Sequence, residues 1–244
     1  MGIREVAEAF KHKLVDLLYP PFCVGCDILL DRPSALCPAC FDKYIQEIDE
    51  QCGVCFHPIR YCSCSLKGLE HRGIRHLYKV FPYHPGQTDL LTNKLIYVLK
   101  DKNLHYAAEF LAWEIHDVFI YHGLNLSEFE IVYIPASTKR MAEKGFNQMA
   151  TLSKFLGKYL GSKVSPVLYR TREAKPQKEL RERERVDNTK GLFAVRPKES
   201  IAGRKFIVID DVVTTGSTLV SAGKVLRDAG ASKVIYAAIS VTTK

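Results

Sequence analysis

The segment KFIVIDDVVTTGST, residues 205–218, carries the most specific structural signal in the sequence. Residues 206–209 are an uninterrupted apolar run rich in β-branched side chains, which predicts a buried strand of a parallel sheet. Asp210 and Asp211 follow at once, so two carboxylates stand at the carboxyl end of that strand. Ligands of open α/β sheets bind at this edge, and the stretch therefore predicts a binding site as well as a strand.

The residues after the acid pair are small and polar, and they lead into a helix predicted at about 217–229. Such residues let backbone N–H groups turn inward and form an anion-binding nest together with the helix N-terminus. Carboxylates accept hydrogen bonds from vicinal hydroxyls, so the whole stretch suits a ribose phosphate. It matches neither the Walker nor the Rossmann glycine pattern. The simpler alternative is a capped turn in which these side chains only satisfy helix N–H groups.

From residue 74 onward, predicted strands alternate with predicted helices, which is typical of an α/β domain with a largely parallel sheet. We predict strands near 74–82, 131–134, 164–168, 192–195, 206–209 and 234–241. Helices are expected near 87–100, 104–121, 141–160 and 217–229, and a long charged loop at 170–190. We assign residues 74–244 to this domain.

All eight cysteines lie in residues 23–66, which we predict to form a separate zinc ribbon. They form four close pairs: Cys23/Cys26, Cys37/Cys40, Cys52/Cys55 and Cys62/Cys64. Two such pairs complete a tetrahedral thiolate site, so we predict one or two structural Zn²⁺ ions with no catalytic role. Sequential pairing is assumed, and a cross-braced pairing stays open. His57 and His71 lie nearby as further potential ligands.

The N-terminal segment, the hydropathy and the charge of the chain limit the class of protein to which it can belong. Residues 1–22 are predicted as an amphipathic helix that stops at Pro20-Pro21. No stretch is apolar enough to predict a membrane span or a signal peptide, so we expect a cytoplasmic protein. The net charge is +8, and residues 137–190 alone hold 14 Lys or Arg against 6 Asp or Glu. Such a surplus favours an anionic partner, unless it is only a solvated face.

Residues 208–218 resemble the fingerprint of type I phosphoribosyltransferases. The whole chain resembles the ComF family, competence-associated proteins that join an N-terminal double zinc ribbon to a phosphoribosyltransferase-like domain. The resemblance rests on PPFCVGC (20–26), Cys37/Cys40, LIYVLK (95–100), KGFNQ (144–148), and on Gln177, Leu180, Arg185, Asn188, Gly191 and Phe193. The family usually has Arg where this chain has Lys144.

The resemblance implies a mostly parallel sheet flanked by helices, and it implies specific roles. Asp210 and Asp211 would contact ribose hydroxyls and are the catalytic candidates. The phosphate-binding candidates also include Val212, Val213, Thr214, Thr215, Gly216, Ser217 and Thr218. The pyrophosphate loop would be Pro135, Ala136, Ser137, Thr138, Lys139 and Arg140, with Arg140 as its main contact. Mg²⁺ would accompany phosphoribosyl pyrophosphate. Candidates for nucleic-acid contact or loop closure are Lys144, Asn147, Arg170, Arg172, Gln177 and Arg185.

The function that the resemblance implies is a role in DNA uptake during natural transformation, with binding of phosphoribosyl pyrophosphate or a related ligand and of single-stranded DNA. One alternative is an active phosphoribosyltransferase that joins ribose 5-phosphate to a base or amine. A second is a zinc-ribbon scaffold that docks a competence helicase or another DNA-processing protein.

Overall fold

A computed structural model describes residues 20–171 and 191–242. In these two ranges the helices are α1 (Pro38–Glu47), α2 (Leu91–Lys102), α3 (His105–Tyr121), α4 (Thr138–Lys144), α5 (Gln148–Leu160) and α6 (Ser217–Asp228). The strands are β1 (Tyr78–Tyr83), β2 (Phe129–Tyr133), β3 (Leu168–Arg170), β4 (Phe193–Val195), β5 (Lys205–Val213) and β6 (Lys233–Thr242). Two short 3₁₀ turns, Ile59–Tyr61 and Glu70–Arg72, precede β1.

The main sheet has the order β1-β6-β5-β2, and every pair in it is parallel. The run at residues 206–209 lies inside β5, between two neighbours, and is fully buried. Pairing with β6 carries β5 on to Val213, because Val212 and Val213 lie opposite Ser240 and Val241. The α/β prediction with a mostly parallel sheet is confirmed.

Two element predictions were wrong. The helix expected at 141–160 is two helices, because Gly145 adopts a left-handed φ of 74° and ends α4. Asn147 then caps α5 by accepting from the N–H of Met149. The strand expected at 164–168 is β3, which begins only at Leu168 and pairs antiparallel with β4 in a separate two-stranded sheet. Val164 makes an isolated bridge to β2 instead.

The two faces of the sheet bury different parts of the cysteine-rich segment. On one face, α2, α3 and α5 pack with Cys23, Cys40 and Tyr44 in a single apolar cluster. On the other face, α6 packs with Ile59, Leu69 and residues of the 59–77 region. The cysteine-rich segment therefore contributes to the apolar core on both sides of the sheet.

Polar contacts tie the same segment to the helices. The carboxylate of Glu47, at the end of α1, accepts from the N–H groups of Leu91 and Thr92 at 3.0 Å each and so caps α2. The Tyr44 hydroxyl donates to Glu114 of α3 over 2.8 Å. The predicted helix within residues 1–22 falls almost wholly outside the described residues. Among the described helices, none is long and apolar enough to cross a membrane.

Candidate functional site

A cleft of about 530 Å³ opens at the carboxyl edge of the main sheet. The acid pair near the carboxyl end of β5 and the loop that follows β2 face each other across it. Helix α2 closes one side and the start of α5 another. Its lining includes Tyr83, Lys100, Pro135, Ala136, Ser137, Arg140, Asn147, Gln148, Arg170, Asp210, Asp211, Val212, Thr214 and Thr218.

The two acids are held differently. Asp211 accepts from the amide of Gln148 at 2.8 Å and from the N–H of Val212 at 2.7 Å, and Lys100 Nζ lies 3.4 Å from its carboxylate. Asp210 accepts from the N–H of Asp211 at 2.9 Å. Burial, and then the neighbouring charge of Asp211, raise the pKa of Asp210 to about 7. At neutral pH one carboxylate of the pair therefore holds its charge more weakly than an ordinary aspartate.

The loop at residues 214–218 forms a small concavity of its own, lined by Asp210 and residues 212–218. Gly216 sits at the N-cap of α6 with a left-handed φ of 65°, and no side chain caps this helix. The alternative of a merely capped turn thus lacks its capping hydrogen bond. The N–H groups at the start of α6, with the hydroxyls of Thr214 and Thr218 beside them, are arranged to receive an anion.

The facing loop, residues 135–140, leads from β2 into α4. Ser137 caps α4 by accepting from the N–H of Arg140 at 3.1 Å. The guanidinium of Arg140 donates to the carbonyl of Lys100 over 2.9 Å, and its Nε is buried without a partner in the described structure. Arg170 donates to the carbonyl of Pro135 over 2.7 Å. The cationic side chains of Lys100, Arg140 and Arg170 thus line the cleft that contains the acid pair.

Most of the predicted site residues meet at this cleft, but some do not. Lys139 is 80% exposed and lies 3.9 Å from Glu143, so it points to solvent. Val213 lines only the small concavity at the loop and is otherwise buried in the core. Lys144 pairs with Asp101 at 3.0 Å and does not line the cleft. Arg172, Gln177 and Arg185 lie outside the described residues.

Lys100 and Gln148 were not among the predicted site residues, although both contact Asp211. Lys100 ends the LIYVLK segment and Gln148 ends KGFNQ, so both occurred in the stretches that carried the family resemblance. The two motifs marked both residues, but no sequence pattern near Lys100 or Gln148 indicates a contact with the acid pair.

The cysteines form two clusters that follow the sequential pairing. Sulfurs of Cys23, Cys26, Cys37 and Cys40 lie within 4.8 Å of one another, as do those of Cys52, Cys55, Cys62 and Cys64. The cross-braced alternative is therefore excluded.

The spacing and chemistry of these thiols fit a metal ion. Cys26 Sγ and Cys37 Sγ are 3.8 Å apart, close to the edge of about 3.8 Å expected for a tetrahedron with Zn–S bonds of about 2.3 Å. Burial alone would raise the pKa of Cys23, but backbone N–H donors, that of Cys37 at 3.2 Å first among them, lower it to about 7. At Cys55, hydrogen bonding from the His57 backbone lowers the pKa to about 6. Burial raises the pKa of Cys40 and also that of Cys62, the latter to about 12, so one thiol of each cluster ionises well before another.

The chain is similar to known proteins over part or most of its length. Residues 151–241 match the family described as phosphoribosyl transferase domain. The chain is 30% identical over 223 residues to the DNA utilization protein YhgH of Salmonella typhimurium, covering 89% of this chain and 96% of that protein. It is 27% identical over 212 residues to the competence protein ComFC of Streptococcus pneumoniae, covering 85% and 88%.

Two further matches are shorter or weaker. Competence protein F of Haemophilus influenzae is 30% identical over 129 residues, which cover 52% of this chain and 56% of that protein. A solved phosphoribosylpyrophosphate synthetase from Mycobacterium smegmatis aligns with 55% of this chain and 33% of its own, at a TM-score of 0.34 and 18% identity. The family match at 151–241 contains the whole of β5, the loop at 214–218 and α6.

Proposed function

Because the chain belongs to the ComF family, we propose that it acts in DNA uptake and that its cleft binds phosphoribosyl pyrophosphate or a related ribose 5-phosphate. One observation carries the ligand assignment: a single cleft brings the acid pair, the uncapped start of α6 and the 135–140 loop together. These are the three parts needed to hold the ribose, its 5′-phosphate and a pyrophosphate group.

Charge determines how the ligand lies. The N–H groups of residues 214–218 take the 5′-phosphate, since a helix N-terminus carries a partial positive charge. Asp210 and Asp211 accept from the ribose hydroxyls, and Arg140 faces the pyrophosphate, where a guanidinium binds two oxygens at once. The two carboxylates are hard oxygen donors of the kind that Mg²⁺ takes. When Mg²⁺ binds with the ligand, it neutralises part of the negative charge of the pyrophosphate group.

The DNA-related part of the proposal draws support from the relatives' names, competence protein and DNA utilization protein, and from the basic surplus in residues 137–190. Binding of single-stranded DNA through phosphate contacts must weaken steeply with salt, because each contact releases counterions. Fluorescence anisotropy of a labelled oligonucleotide at two salt concentrations tests this. A binding constant that stays the same between low and moderate salt would contradict direct binding.

The metal part of the proposal is structural. Four thiols at each cluster leave no open coordination position, so we assign one Zn²⁺ to each and give neither ion a chemical step. A segment as short as residues 23–66 buries little apolar surface by itself, and metal binding then contributes to its folding.

Catalysis is the second candidate function, and the state of Asp210 favours it. A carboxylate in the cleft with a pKa of about 7 can accept a proton from an incoming base or amine at neutral pH. A screen for pyrophosphate release across purines, pyrimidines and amines tests it. Ligand binding without release for any acceptor would leave the cleft a binding site and dismiss the transferase.

Calorimetric titration with phosphoribosyl pyrophosphate and Mg²⁺ tests the ligand assignment. We expect wild type to bind and the double variant Asp210→Asn/Asp211→Asn to bind at least about tenfold more weakly, since each charged acceptor contributes about 1.5–3 kcal/mol. Asp228→Asn is the control, because Asp228 is an exposed carboxylate at the far end of α6. Equal affinity of wild type and the double variant would overturn the site.

A further inference from the structure

The segment between the second cysteine cluster and β1 packs against the back of the phosphate loop. We call this segment, residues 65–77, the connector. Leu69 of the connector is 1% exposed. It fills the space beside Gly216 so closely that a Cβ on Gly216 would lie 2.5 Å from the Leu69 Cδ1. The left-handed turn that opens α6 is therefore shaped by a side chain from outside the α/β sequence motif.

Arg72 of the connector adds polar contacts to the same loop. Its guanidinium donates to the carbonyl of Thr215 at 3.4 Å and to the hydroxyl of Ser217 at 3.3 Å. These residues are 143 and 145 positions away along the chain. Arg72 does not line the cleft or the loop's own concavity, so it acts on the loop from behind.

The contact with Ser217 has a direction. The Ser217 hydroxyl is nearly fully buried and lies 3.0 Å from the hydroxyl of Thr215. A hydroxyl has two acceptor positions and one proton. Because Arg72 has no acceptor, it can only donate, and it occupies one lone pair of Ser217. The Ser217 proton is then left for the Thr215 hydroxyl, 3.0 Å away, or for an anion bound in the concavity.

The second cysteine cluster anchors the connector at its base. Lys79 on β1 is only 3% exposed, and its ammonium donates to the carbonyls of Cys62 at 3.0 Å and Cys64 at 2.8 Å. It also lies 3.4 Å from the Cys62 sulfur. The N–H of Leu77 donates to the carbonyl of Ser63 at 3.1 Å. Both ends of the connector are thus held at the C-x-C turn that carries two of the cluster's thiols.

We infer that Arg72 is a positioning residue for the 5′-phosphate loop, and that the metal in the second cysteine cluster controls whether the connector presents it. This rests on the proposed ribose 5-phosphate site and adds a means of regulation to it. A metal ion fixes the turn that contains Cys62 and Cys64, and this turn binds the connector through Ser63 and Leu77. The connector in turn contacts the phosphate loop through Arg72. Loss of that metal weakens binding of the phosphate end of the ligand and leaves the pyrophosphate end, on the 135–140 loop, unaffected.

Two ligand fragments separate those ends. We expect Arg72→Met to bind ribose 5-phosphate about tenfold more weakly than wild type, since a charge-assisted hydrogen bond to a loop group is worth about that factor. Arg72→Lys should fall between the two, because it keeps the charge and loses the two-pronged geometry. Binding of pyrophosphate with Mg²⁺ should not change in either variant. Arg75→Met is the control, since Arg75 is an exposed arginine of the same connector.

The metal arm uses one variant from each cluster. Cys64→Ala should lose one metal ion per chain and weaken ribose 5-phosphate binding as Arg72→Met does, whereas Cys26→Ala should lose one ion and keep the affinity. Combining Cys64→Ala with Arg72→Met should add little, because both remove the same support. If Cys64→Ala folds poorly, a chelator applied to Cys26→Ala removes the second cluster's metal from a chain that has already folded.

The outcomes are distinguishable. Equal ribose 5-phosphate affinity in wild type and Arg72→Met, or unchanged affinity after loss of the second cluster's metal, overturns this inference alone. A wild-type chain that binds neither ribose 5-phosphate nor phosphoribosyl pyrophosphate overturns the proposed function with it. An equal loss of affinity for both fragments in Arg72→Met would show general damage to the fold, and it also counts against a positioning role.

Discussion

Replacing Asp210 with Asn should make the ligand-free protein more stable at neutral and alkaline pH. Asp210 stands beside Asp211 at the end of a buried strand, and burial with that neighbouring charge raises its pKa from 3.8 to about 7. An asparagine has nearly the same shape and can still accept from the N–H of Asp211, as the carboxylate does at 2.9 Å. The substitution therefore removes the charge and keeps the hydrogen bond.

The size of the effect follows from the pKa. Folding favours the protonated form of a carboxyl whose pKa is raised in the folded chain. The protonated Asp210 therefore contributes its full stabilisation below pH 3.8, and this stabilisation is lost as the pH rises through about 7. At 1.36 kcal/mol per pKa unit, the loss above pH 7 is at most about 4 kcal/mol. For a domain of this size that is roughly 8–16 °C in Tm. Asp210→Asn escapes this loss, and the stability difference should grow between pH 4 and 7 and then level off.

Chemical or thermal denaturation of wild type and Asp210→Asn from pH 4.5 to 8.5, at constant ionic strength and without ligand, measures the difference. Asp228→Asn is the matched control, since this exposed carboxylate pairs with Lys224 on the surface and its loss should matter little at any pH. A stability difference for Asp210→Asn that is the same at every pH, or a wild type that is the more stable at pH 8, would show that the charge of Asp210 does not destabilise the folded chain. The same variant should lose ligand affinity, so stability and function change in opposite directions.

Three further changes probe the loop, the buried ion pair and the metal clusters. Gly216→Ala should destabilise the chain by about 1–3 kcal/mol more than Gly203→Ala, because both glycines have a left-handed φ but only a Cβ at position 216 would meet a side chain. Gly216→Ala should also abolish ribose 5-phosphate binding. Equal melting points of the two variants would contradict this prediction. Arg60→Met should lower the free energy of unfolding by about 3–5 kcal/mol, because Arg60 lies 3.5 Å from the buried carboxylate of Glu114 and 2.7 Å from that of Asp117. Lys224→Met, which breaks an exposed ion pair, should lower it by about 0–1 kcal/mol when both are measured by denaturant unfolding. Cys37→Ala should lower the zinc content by one ion per chain in elemental analysis, since the two clusters share no ligand, and loss of both ions would show that the clusters depend on each other.

What the sequence could predict was local or followed from the topology of parallel strands. The apolar run at residues 206–209 is best buried as a central strand of a sheet, and in the structure it lies between two neighbouring strands. Strands β2 and β5 are parallel neighbours, so the residues that follow each had to meet at one edge. The facing loops of the cleft were therefore foreseeable, even with 70 and more residues between them.

What it could not predict depends on side chains delivered by helices and turns whose orientation is set only in the folded chain. Lys100 reaches Asp211 from α2, and Arg72 reaches Ser217 from a 3₁₀ turn. Periodicity shows which face of a helix is apolar, but it does not show which strand end that helix crosses. The division of the predicted 141–160 helix had a local signal, Gly145, which apolar periodicity on both sides concealed.

The cations of the cleft differ in their partners, because Lys100 pairs with Asp211 at 3.4 Å whereas Arg140 is held by a carbonyl. Arg204 lies 2.6 Å from Glu130, whose pKa it lowers, so its charge is matched inside the chain. Arg140 instead donates to the carbonyl of Lys100 at 2.9 Å and has no ion pair in the parts of the chain that the structure describes. A carbonyl fixes the direction of a guanidinium without neutralising it, so the positive charge stays available to an anion that arrives between the loops. On the other side of the cleft, Asp211 already pairs with Lys100, yet burial and the charge of Asp211 still raise the pKa of Asp210. The proposed ligand, a ribose 5-phosphate with a pyrophosphate group, would bring hydroxyl donors to the two acids and negative charge to Arg140 at once.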